Sequence, residues 1–158
     1  MQIIIDNLYI GNQYDFLPEG WAVVNCGKSP WHQQAVGYTK SLDSAHRNYL
    51  IHETEDALSL NLVDAPFEFK PQYTDPIFKK AFEFINANRK SRPVLVRCNQ
   101  GLSRSPSIVL AYLGKMLLTA GDYYEEAREE FKDLYPDYAP GKGVEAYLKN
   151  GWDRIIKL

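Results

Sequence analysis

The chain has 158 residues, 45% apolar and 24% charged, with a formal net charge of −2 and a pI near 5.9. That length suits one domain with its own core, and the charge balance excludes a general nucleic-acid or membrane-surface binder, which carries a basic face. No run approaches the ~18 apolar residues of a membrane span, Met1 to Ile5 lacks the features of a leader peptide, and two cysteines are too few for a disulfide framework, so the expected compartment is the reducing cytoplasm.

Ile3 to Ile10 reads as one or two short strands broken at Asp6-Asn7. Pro18-Glu19-Gly20 makes a turn before Trp21 to Asn25, a compact β-rich run. The signals from Gly27 to Glu55 are mixed, and this is the least legible stretch. Leu58, Leu60 and Leu62 alternate with polar residues as a half-buried strand does. After Thr74-Asp75-Pro76, the spacing of Phe78, Ala81, Phe82 and Ile85 predicts a helix, with Pro76 in its first turn and Asp75 as its cap. Pro93 to Val96 is a short apolar strand. A buried helix should follow from Arg104 to Leu118. Gly121-Asp122 should open another, with Asp122 and Glu125 as a capping box, and Pro136 should end it. Val144 to Ile156 gives a last helix, with Val144, Tyr147, Leu148 and Ile155 facing inward. No repeat or linker divides the chain, so residues 1–158 should form one α/β domain, a central mixed sheet of about four or five strands covered by helices.

The segment that carries chemistry is Arg97-Cys98-Asn99-Gln100-Gly101-Leu102-Ser103-Arg104-Ser105-Pro106, a cysteine, five residues and an arginine between a strand and a helix. Successive backbone N–H groups in a tight loop entering a helix make a cradle for a tetrahedral anion. Gly101 permits a turn that a Cβ resists. Arg104 offers a planar fork to two phosphate oxygens, which lysine cannot copy. The same donors favour a thiolate at Cys98. Ser105 is placed to donate a hydrogen bond to that sulfur and help it leave.

This loop resembles the signature of dual-specificity phosphatases, within the cysteine-based protein tyrosine phosphatase superfamily. The likeness runs on into Pro106 to Leu113. Leu8-Tyr9-Ile10-Gly11-Asn12 is similar to the family's opening strand and Val23-Val24-Asn25-Cys26 to a later core strand. The resemblance implies a protein tyrosine phosphatase-like fold of the dual-specificity type. It also implies a phosphoric monoester hydrolase with Cys98 as nucleophile, Arg104 as phosphate ligand, and Asn99, Gln100, Gly101, Leu102 and Ser103 as the phosphate-binding loop. An aspartate on a loop after a strand should act as general acid and base, and Asp64 fits, whereas Asp56 precedes its strand. Cys26, by the same resemblance, is a redox partner that can form a reversible disulfide with Cys98; its plain alternative is a small buried apolar residue. One departure stands out: the family usually has histidine where this chain has Arg97.

No cofactor and no metal are expected, since His32, His46 and His52 lack ligand-like spacing to the cysteines. The expected partner is a phosphorylated protein or peptide, with an oxyanion in the loop and no nucleic acid or membrane. Superfamily members acting on inositol phospholipids tend to carry lysines in this loop, and Asn99, Gln100 and Leu102 are neutral. Trp31, Tyr38 and Tyr49 are candidates for the walls of the site. Rival readings are a phosphate-binding pseudophosphatase, favoured by Arg97, and a phosphatase of RNA 5′ ends, nucleotides or inositol phosphates. A low-molecular-weight phosphatase has the opposite order of loop and acid, and sulfurtransferase loops are commonly one residue shorter.

Overall fold

The computed structural model describes residues 1–119 and 122–158. Six strands form one mixed sheet: β1 (Gln2–Ile5), β2 (Leu8–Gly11), β3 (Ala22–Cys26), β4 (Ile51–Glu53), β5 (Ala57–Leu60) and β6 (Val94–Arg97), in the order β1-β2-β6-β3-β5-β4. The four inner strands run parallel and the two edges antiparallel. The Asp6-Asn7 break is the turn of the first hairpin, where Asn7 takes a φ of 60°, a conformation asparagine tolerates. The sheet has six strands rather than four or five. The sixth is β4, three residues at an edge, too short for an alternating pattern to register.

Among the described residues five α-helices follow the strands or link them: α1 (Gln33–Val36), α2 (Pro71–Asn88), α3 (Arg104–Lys115), α4 (Tyr124–Leu134) and α5 (Lys142–Ile155). From Ser105 to Gly114 α3 is buried on every face, against β6 on one side and α2, α4 and α5 on others. Val144, Tyr147, Leu148 and Ile155 of α5 point into the same core.

Two helix starts differ from expectation. Helix α2 begins five residues earlier, with Pro71 in the first turn and Pro76 inside the helix. Asp75 is no cap: it accepts hydrogen bonds from Tyr147 Oη (2.6 Å) and Arg154 Nε (2.9 Å) of α5. Helix α4 begins at Tyr124 and has no side-chain cap, so Asp122 makes no capping box. Tertiary packing sets that start instead, because buried Tyr124 stacks edge-on against Trp152 and Glu125 pairs with Lys149. Gly121 lies outside the described residues.

Register fixes what meets at the carboxyl ends of the inner strands. Arg97 of β6 stands beside Gly11 of β2 and Asn25 of β3. Cys98 therefore emerges next to Cys26, and the β5 strand beyond leads to Asp64. In an open parallel sheet this edge is where ligands are bound.

Candidate active site

Between β6 and α3 the chain turns sharply at Gly101, whose φ is +75°. A Cβ there would also approach the Gly11 carbonyl oxygen at 2.9 Å, so glycine is needed for both space and conformation. The loop is held from outside through its carbonyls. Asn99 O accepts from Gln13 N–H (3.2 Å), Gly101 O from Tyr135 Oη (2.8 Å) and Leu102 O from Ala139 N–H (2.9 Å). With the carbonyls turned outward, no acceptor among the described residues takes the amide N–H groups of residues 99 to 103. These unspent donors stand at the amino end of α3, where the helix dipole also favours an anion.

Cys98 lies at the base of this ring, 2% exposed, with Ser105 Oγ donating to Sγ at 3.2 Å. Arg104 folds over it. Its Nη2 donates to Asn99 Oδ1 (2.9 Å) and its Nη1 to Leu62 O (3.2 Å). Its Nε is buried and has no protein partner, a costly arrangement unless the group serves a ligand. Asp64 reaches the same cavity, of about 250 Å³, which it lines with Cys98, Asn99, Gln100, Ser103 and Arg104. Its carboxylate accepts from Ser103 Oγ (3.4 Å), and Ser103 Oγ accepts from Gly141 N–H (2.8 Å). Asp64 thus stands across a small opening from the sulfur, tied to the loop by one hydroxyl.

The residues singled out from sequence come together here. Gly101 and Leu102 shape the loop without lining the cavity, and Ser105 sits behind the sulfur. Cys26 is buried beside Cys98, and both are free thiols. Burial pushes the Cys26 thiol well above its ordinary range, and the charge of Cys98 adds to the effect. Of the three aromatic candidates, none lines the Cys98 cavity. Trp31 stands nearby, its ring 5.1 Å from the Arg97 guanidinium. Tyr38 instead donates to His32 Nδ1 (2.7 Å), and Tyr49 lines a separate cavity.

Arg97 turns away from the sulfur. Its Nε donates to Asn25 Oδ1 (2.8 Å), its Nη1 to Asp15 O (3.3 Å), and its plane faces Trp31, so it pins three segments around the loop. Burial lowers its pKa, and the charge of Asp15 opposes the shift. Sequence gave no hint of this bracing, nor of the supports from Leu62, Tyr135 and Gly141, because each acts from 34 or more positions away. Among the described residues, no group of three His, Cys, Asp or Glu side chains could hold a metal ion, and no helix is long and apolar enough to cross a membrane.

Residues 22–136, from β3 through the cradle to the end of α4, match the family model described as dual specificity phosphatase, catalytic domain. The chain belongs to the dual specificity phosphatase family. A probable dual specificity protein phosphatase of Dictyostelium discoideum is 32% identical over 100 residues, covering 63% of this chain. The chain spans about a quarter of the length of that relative, since the match covers 23% of it. The fold is shared with the human tyrosine phosphatase-like serine/threonine/tyrosine-interacting protein, at a TM-score of 0.67 and 22% identity, covering 100% of this chain and 98% of that one. Human DUSP28 has a TM-score of 0.62 at 21% identity, with 96% and 95% of the two chains covered.

Proposed function

We propose that residues 1–158 form a single catalytic domain that removes phosphate from phosphotyrosine, and from phosphoserine and phosphothreonine, through a cysteinyl-phosphate. The observation that carries this reading is the meeting of Cys98, the orphaned Nε of Arg104 and Asp64 on one small cavity. In the first step the Cys98 thiolate attacks phosphorus, forming a P–S bond as the P–O bond to the side chain breaks. Asp64 gives its proton to the departing oxygen. Arg104 and the free amides of residues 99 to 103 bind the equatorial oxygens as charge moves onto them. In the second step Asp64 takes a proton from water, whose oxygen bonds to phosphorus while the P–S bond breaks. The hydrogen bond from Ser105 stabilises the returning thiolate. None of these steps calls on a metal or cofactor.

Turnover of p-nitrophenyl phosphate and of phosphotyrosine and phosphoserine/threonine peptides tests the reading, with Cys98→Ser as control. That variant should lose turnover and keep binding phosphate. A substitution that leaves turnover intact removes Cys98 from the role. Failure of the unmodified protein to turn over any substrate, with phosphate binding retained, would favour a pseudophosphatase, the reading that the Arg97 departure supports.

The neighbouring thiols suit a protective disulfide. Adjacent parallel strands run about 4.8 Å apart, within the range a disulfide spans. Peroxide oxidises the Cys98 thiolate to a sulfenic acid. That conversion removes the negative charge that helps hold Cys26 protonated. The Cys26 sulfur then attacks, expelling water as the S–S bond forms. Peroxide inactivation should be reversed by a dithiol in the native protein and not in Cys26→Ser; equal recovery in both removes the role from Cys26.

A further inference from the structure

A second cavity, of about 390 Å³, adjoins the segment that carries Asp64. Leu50, Leu62, Val63, Phe67, Tyr73 and Ile77 give it a mostly apolar lining. Tyr49 and Tyr73 meet edge to face along one wall. Three of the lining residues are large apolar side chains that the core does not use: Val63 is 56% exposed, Phe67 69% and Tyr73 42%. Apolar side chains gathered at the rim of a groove are the mark of a surface that meets a partner.

The groove and the catalytic cavity share a wall one chain thick. Val63 lines the first and Asp64, the next residue, lines the second. The carbonyl oxygen of Leu62 accepts both Lys28 N–H (2.8 Å), at the groove edge, and Arg104 Nη1 (3.2 Å), in the cradle. A polypeptide advances about 3.3–3.6 Å per extended residue. A chain with its phosphate in the cradle therefore crosses this wall within a few positions. Lys28 and Lys70 border the groove, and neither makes an ion pair among the described residues. The acidic residue there, Glu68, accepts from Asn150 Nδ2 at 3.1 Å. With two lysines against one glutamate, the border carries a net positive charge that disfavours a basic side chain.

We propose that this groove is a substrate subsite that takes one large apolar side chain, aromatic or of leucine or methionine size, lying a few positions from the phosphorylated residue. The proposal rests on the phosphatase reading above and narrows it to a class of phosphopeptide. An open groove one chain's thickness from the Cys98 cavity suits a flanking side chain better than a free apolar ligand, which favours enclosure.

The test uses phosphotyrosine peptides with a serine background, in which Phe, Leu or Lys is placed in turn at the three positions on either side. Each kcat/KM is divided by that for p-nitrophenyl phosphate, which is too small to reach the groove. At one position Phe or Leu should raise the ratio about five- to tenfold and Lys should not. Phe67→Ser and Tyr73→Ser, with thermal melts to confirm folding, should each reduce that advantage. A flat scan alongside normal aryl phosphate turnover overturns the subsite alone. An apolar advantage that survives both substitutions overturns its placement in this groove. Absence of aryl phosphate turnover overturns the catalytic reading and this proposal with it.

Discussion

The wall that carries Cys98 and Arg104 is made from consecutive residues, whereas the wall that carries Asp64 takes its shape from distant ones. In the first, strand end, glycine turn and helix start follow within a dozen positions, and each local preference agrees with the next. In the second, the segment from Asn61 to Lys70 has no regular structure of its own. Its position comes from Arg104 on Leu62 O, Ser103 on Asp64, and the start of α5, where Phe69 N–H reaches Gly143 O (3.2 Å). The proposed anion site is thus a local motif, and the placing of the proposed acid is a tertiary achievement.

Substitutions separate the two walls. Asp64→Asn should lower kcat about 10²–10⁴-fold, more for phenyl phosphate than for p-nitrophenyl phosphate, whose leaving group needs less help. It should also remove the limb of the pH–rate profile that reports the protonated acid. A near-normal rate would move the role elsewhere. Arg104→Lys keeps the charge but not the fork and should cost about 10²–10³-fold in kcat, equally for both substrates. A leaving-group dependence there would blur the distinction between the walls.

Gly143→Ala strikes the acid wall from outside the cavity. A Cβ there would collide with the carbonyl oxygens of Ala65 and Phe67. The expected result is a loss of about 1–3 kcal/mol in stability by urea titration and of about tenfold in kcat/KM, again larger for the poorer leaving group. Uniform loss across leaving groups would show that the damage is not specific to Asp64.

The smallest effect expected is a pH dependence in the region before β4. His32 is buried, with Nε2 donating to Asn48 O (2.9 Å) and Nδ1 accepting from Tyr38 Oη (2.7 Å). Burial holds its pKa below the usual 6.5, and electrostatic repulsion from His52, Lys28 and His46 adds to the shift, against the bond to Asn48. The unfolded chain therefore takes up a proton near pH 6.5 that the folded chain refuses. Stability should be full above that value and fall as pH drops toward the lowered native one. His32→Gln should flatten the change in urea midpoint between pH 8 and 5.5, and an unchanged slope would assign it to other groups.

Legibility from sequence follows the same divide. The inner strands, the buried helix α3 and the residues of the cradle could be read because period, turn chemistry and motif lie in one short window. Asp64 is legible only through the resemblance to a family, since an aspartate before Ala65-Pro66 is otherwise an ordinary turn residue. The edge strand β4 and the starts of α2 and α4 escaped because tertiary contacts decide them: Asp75 is drawn to Tyr147 and Arg154, and Tyr124 to Trp152. Arg97 showed as an anomaly of type, but its bracing of Asn25, Asp15 and Trp31 needs three strand and loop segments already in place.

Because the four inner strands all point the same way, the molecule has a working rim and a plain one. The turns at Asn7, Thr54 to Asp56 and Arg89 to Arg92 share the plain rim, stitched together by Asn7 Nδ2 on Arg89 O and by Arg92 Nη2 on Glu55 O. Labels, tethers or grafted segments placed there sit a full strand length from the Cys98 cavity, which makes that rim the natural handle for attaching this domain to a surface or to another protein.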